Sequence, residues 1–66
     1  MSGEAEALEA IWQVMVELAE AGNDEVVNTQ AATSKDGAAR IGVIAGDLAA
    51  LAEAAAVLAR RTEAAP

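Results

Sequence analysis

Cysteine, histidine, tyrosine and phenylalanine are all missing from this chain, Trp12 is its one aromatic residue and Pro66 its one proline. Each absence closes off a class of chemistry. Without cysteine there is no disulfide and no thiolate metal site. Without histidine, the commonest nitrogen ligand for metals and the usual general base go too. Ser2, Thr29, Thr33, Ser34 and Thr62 then have no imidazole to activate them. A serine–lysine arrangement would need Lys35 desolvated beside Ser34, in a stretch that reads as polar surface. The expectation is a non-enzymatic protein with no cofactor and no metal.

Basic residues are also scarce: four against eleven acids, for a net charge of −7. The imbalance is one-sided. Residues 1–30 hold seven acids and no base, whereas residues 31–66 hold four of each. Direct binding to nucleic acid is not expected, because it is driven by lysine and arginine releasing counterions from phosphate. An anionic membrane surface is disfavoured on the same ground. A protein partner with a basic surface stays open, with Glu6, Glu9, Glu17 and Glu20 as candidates for that contact. Glu6/Glu9 and Glu17/Glu20 are also i, i+3 carboxylate pairs. Dimetal sites in helical bundles draw on Glu-x-x-His, however, and these acids lie opposite the apolar stripe, where water solvates them.

The most apolar run, residues 41–59, approaches the length of a membrane span. It contains Asp47 and Glu53 and is mostly alanine and glycine rather than leucine and phenylalanine. It reads as a core helix of a soluble protein. The first residues show neither a basic nor an apolar region, so they do not read as a secretory signal. Absence of cysteine fits a reducing compartment, and a cytoplasmic location is expected.

What is plentiful is alanine, nineteen of 66 residues, and with it helix. Leu8, Ile11, Trp12, Met15, Leu18 and Ala19 recur at the spacing of one helical face. Ser2 can cap its start, and Gly22-Asn23-Asp24 supplies a stop signal. The first helix is predicted over about residues 4–21. Farther on, Ile41, Ile44, Leu48, Leu51, Ala55 and Leu58 alternate steps of three and four, the a/d pattern of a coiled-coil seam. Residues 62–66 are expected to fray.

Residues 24–37 are ambiguous. Val26, Val27, Ala31, Ser34 and Ala38 continue a stripe into Ile41, yet Asn28, Thr29, Gln30 and Thr33 are weak helix formers. Either residues 24–62 form one long helix, which the stripe mildly favours, or the chain breaks near 34–37. In the second case Thr33 and Asp36 have capping-box spacing. A first helix of roughly 27 Å folded onto a second of nearly 60 Å would cover only residues 24 to about 42. The seam beyond would stay in water unless the chain breaks near Gly37, so that the first helix can reach it, or a second subunit covers it.

The expected fold is therefore an all-α, single-domain helical hairpin that dimerises into a four-helix-bundle-like assembly. Small size favours the same conclusion, since a core below roughly 70–80 residues rarely supplies more than about 3–5 kcal/mol. The expected interface is Leu8, Ile11, Trp12, Met15 and Leu18 against Ile41, Ile44, Leu48, Leu51 and Leu58. Val16, Val43 and Val57 fall off these stripes and hint that more than one face is buried. Gly42, Gly46, Ala50 and Ala54 form a small-residue stripe that suits close helix packing. No glycine-rich phosphate loop is present. Function reads as a helical oligomerisation module that also binds a protein partner. The alternative is a small acidic inhibitor that docks on a basic groove of a nucleic-acid-binding protein.

Overall fold

Apolar or small residues recur at alternating steps of three and four along nearly the whole chain, and that spacing sets the fold. The computed structural model describes residues 3–29 and 33–64 as a helical hairpin of α1 (Gly3–Thr29) and α2 (Lys35–Ala64). Leu8, Ile11, Met15, Leu18 and Gly22 line the inner side of α1. Ile41, Ile44, Leu48, Leu51, Ala55 and Leu58 line that of α2. A three–four alternation keeps one side of a helix turned towards its neighbour.

The helices run antiparallel. Glu25 pairs with Arg40 at 2.8 Å near the turn, Gly22 faces Ile44, and Glu4 pairs with Arg61 at 3.3 Å at the open end. From Glu4 to Glu25 and from Arg40 to Arg61 is the same number of residues, so the register holds without slip over three heptads. The result is a rod of 50 × 15 × 12 Å.

Local chemistry fixes where α2 begins. The Gly37 N–H donates to Ser34 Oγ at 3.0 Å, and the Ala38 N–H donates to the Ser34 carbonyl at 2.9 Å. Ser34 is thus the N-cap, satisfying one of the first-turn amides that have no partner inside the helix. The expected Thr33–Asp36 capping pair is displaced by one residue. Three positions beyond the true cap stands Gly37, which has no side chain to return the bond.

Three expectations are corrected. The first helix does not stop at Gly22-Asn23-Asp24 but continues to Thr29. Stopping there would remove the Gly22–Ile44 contact and the Glu25–Arg40 pair, while Asn23 and Asp24 face solvent at little cost. Residues 24–62 are not one helix, and the break lies between Thr29 and Lys35 rather than at 34–37. Because the turn falls later than expected, α1 covers α2 along its length, so residues 44–58 are not left bare by a short first helix. α2 also runs on to Ala64, where the Thr62 hydroxyl donates to the Leu58 carbonyl at 2.9 Å. The proposed Ser2 cap lies outside the described residues.

Packing is thin. Among the described residues Ala55, 6% exposed, is the one buried apolar side chain, and no large side chain is fully buried. Leu8, Ile11, Met15 and Leu18 and their partners on α2 are only half-buried. Two helices have one seam between them, and a seam shields each side chain from one direction only.

Candidate protein-binding face

With the seam residues placed at heptad positions a and d, Leu8, Met15, Gly22, Ile41, Leu48 and Ala55 occupy a. Ile11, Leu18, Ile44, Leu51 and Leu58 occupy d. The position next round the helix from a, at 100° per residue, is e. On α1 it carries Ala5, Trp12, Ala19 and Val26. On α2 it carries Ala38, Ala45, Ala52 and Ala59. None of the eight is polar, and all are exposed except Ala59, which is half-buried.

Antiparallel pairing puts both e rows on the same side of the seam. Towards the open end Trp12 lines a shallow groove with Ala52, Ala56 and Ala59. Towards the turn Ala19 and Val26 line a second groove with Ile41 and Ala45. Together they make one largely apolar flank running most of the rod's length, with Glu9, Gln13 and Asn23 of α1 at its rim. The opposite flank, at position g, is different: Ala7, Val14 and Ala21 face Arg40, Asp47, Ala54 and Arg61. Charge interrupts it repeatedly.

Apolar residues at a, d and e together mark a helix with more than one neighbour, whereas a two-stranded coiled coil needs only a and d. In the hairpin alone the third row has no neighbour. Trp12 shows it best, at 57% exposed.

The expected interface residues divide accordingly. Leu8, Ile11, Met15, Leu18, Ile41, Ile44, Leu48, Leu51 and Leu58 form the seam within one chain. Trp12 stands apart from them, on the flank. Val16, Val43 and Val57 are exposed. Of the stripe of Gly42, Gly46, Ala50 and Ala54, the two glycines do not face α1. The stripe winds round α2, and a Cβ at Gly42 or Gly46 would meet nothing within 4 Å.

Glu6, Glu9, Glu17 and Glu20 are all exposed on α1, and Glu9 also lines the Trp12 groove. Among the described residues, no group of three carboxylates is arranged to hold a metal ion. None has a buried side-chain nitrogen or oxygen left without a hydrogen bond. By length and composition α2 could cross a membrane, and 6% of its most apolar window is buried in the hairpin. The same uncovered alanine-rich surface accounts for both figures.

No protein family, curated protein or solved structure matches the chain. The flank is therefore judged on its own chemistry.

The sequence reading missed the flank as a separate surface because it merged Trp12 and Ala19 with the seam. Trp12 directly follows Ile11, a seam residue, so a broad stripe can hide two rows. The signal available was the repeat of uncharged residues at 5, 12, 19 and 26, seven apart, matched at 38, 45, 52 and 59.

Proposed function

We propose that this protein is a non-enzymatic helical module that acts by packing its apolar flank against another protein chain. The observation that carries the reading is the uncharged e row on both helices, left in water by a hairpin whose other flank is charged. Isolated exposed apolar residues are ordinary on soluble proteins, but a contiguous apolar strip is a mark of a binding surface.

Adjacent valines provide the test. Val26 lies on the flank and Val27 points outward, 45% and 66% exposed. A photo-cross-linking amino acid at position 26, introduced in the producing cell, is expected to capture protein. The same group at position 27 is expected to capture little. Equal capture at both positions, or none at 26, overturns the reading.

A second reading is favoured by one observation, the acidic surface of α1. Glu6, Glu9, Glu17 and Glu20 are exposed there, and α1 carries no base. On this reading the protein is a small inhibitor whose acids dock on a basic groove. Such a contact is steered by charge and weakened by salt, unlike one made through the flank.

A further inference from the structure

The flank has a definite shape. On α1 its wide apolar side chains are Trp12 and Val26, with Glu9 at the rim beside Trp12. On α2 the e row is alanine throughout, and the adjoining b row adds Gly42, Ala49 and Ala56. One helix presents knobs and the other a shallow trough. We propose that the occupant is a second copy of this chain, with each α1 lying in the trough of the partner's α2 to complete a two-fold four-helix bundle. This rests on the reading of the flank as a protein-binding face and names what covers it.

Area supports a copy of the same size. The chain exposes 4789 Å². A compact folded chain of 6.6 kDa is expected to expose about 3,900 Å². The excess, about 900 Å², is close to the roughly 800 Å² that each partner contributes to an interface of standard size. That excess is the area that one further hairpin on the flank would have to cover.

Charge selects the arrangement. All of α1's titratable residues are acidic, whereas α2 carries four acids and four bases. Two α1 helices side by side would bring together two helices whose charges are all negative, with Glu9 at the rim of each. Placing α1 beside the partner's α2 sets it against a balanced helix instead, and the e rows that meet carry no charge. Shape agrees, because Trp12 against the partner's Trp12 would hold the helices apart, while Trp12 over Ala52 and Ala56 lets them close. A two-fold axis makes both contacts identical, as an isologous interface requires.

Sedimentation equilibrium of the full chain, from low to high micromolar, tests the occupant. The expected mass is that of a dimer. Ala52→Glu puts a charge into each contact and should weaken association at least about a hundredfold. Val27→Glu, one residue off the flank on the outer side, should leave it within about threefold. If Ala52→Glu proves unfolded, the wild-type mass still decides. A helical wild-type monomer at high micromolar concentration overturns the proposal, and so does loss of the dimer with Val27→Glu.

Disulfide trapping tests the arrangement, since the chain has no thiol of its own. Chains carrying Ala5→Cys are mixed with chains carrying Ala59→Cys and oxidised. The mixed 5–59 disulfide is expected to exceed either symmetrical one. Predominance of the 5–5 species overturns the arrangement. Should the protein be monomeric while position 26 captures a different protein, this inference fails and the binding-module reading stands. Capture of lipid there, with no protein, defeats both.

Discussion

Gly22 and Ile44 face each other across the seam with room for one more methyl group. A Cβ on Gly22 would stand 3.5 Å from Ile44 Cγ2, an ordinary contact distance. The glycine is therefore not demanded by crowding, and it carries the usual conformational cost inside a helix. Gly22→Ala should raise stability by about 0.5–1 kcal/mol from backbone entropy alone. For a domain this small that is several degrees in Tm, at about 4–8 °C per kcal/mol. Thermal melting followed by circular dichroism, at fixed protein concentration, checks it; an unchanged or lower Tm contradicts the geometry.

Leu51 and Ala52 are neighbours in sequence but belong to different surfaces, seam and flank. Leu51→Asp places a carboxylate between the helices and removes a half-buried leucine, a loss of about 2–5 kcal/mol. The far-ultraviolet helical signal should collapse. Ala52→Glu, by contrast, should cost association first. A Leu51→Asp chain that stays helical would show that the seam is not what holds α1 to α2.

Ser34 accepts the Gly37 amide at the start of α2. Ser34→Ala removes that cap and should cost about 0.5–2 kcal/mol. Ser34→Asp keeps an acceptor and adds a charge suited to the helix N-terminus, so it should preserve most of the stability. Urea unfolding of the three proteins separates a capping role from one of side-chain size.

The Glu25–Arg40 pair, at 2.8 Å, leaves the arginine side chain 54% exposed. A pair so wet should contribute about 0.2–1 kcal/mol and fade as salt rises. A double-mutant cycle with Glu25→Gln and Arg40→Gln, run at low and high salt, measures it. A coupling above that range would mean that the pair anchors the turn rather than trims the register.

Reversal of Glu6, Glu17 and Glu20 to lysine separates the two functional readings. These side chains line neither groove, unlike Glu9, which lies beside Trp12. Helix content and self-association should change little. Under the inhibitor reading the same variant loses its basic partner, with salt sensitivity in the wild-type complex to match.

Much of the fold is legible in the residues. The three–four alternation from Ile41 to Leu58 fixes which side of α2 faces inward, and Leu8, Ile11, Met15 and Leu18 do the same for α1. The failures are local and share a cause. Gly22-Asn23-Asp24 has the composition of a helix end, and propensity there amounts to about 1 kcal/mol or less per residue. The helix nevertheless continues past it, with Gly22 facing Ile44 and Glu25 paired with Arg40 across the seam, a tertiary setting that local propensity does not record. Trp12 was misplaced for another reason: e lies only about 40° round the helix from a, too small an angle for sequence spacing to distinguish from the seam.

By itself, then, the sequence determined helix as the one secondary structure, the inward stripe of each helix and the absence of cysteine, histidine and tyrosine. These depend on residue type and on spacing within a turn or two, and both can be read along a line. The position of the turn, the register of α1 on α2 and the separation of Trp12's row from the seam were decided only by the tertiary structure. Each depends on which residue meets which across the two helices, and no local preference specifies that.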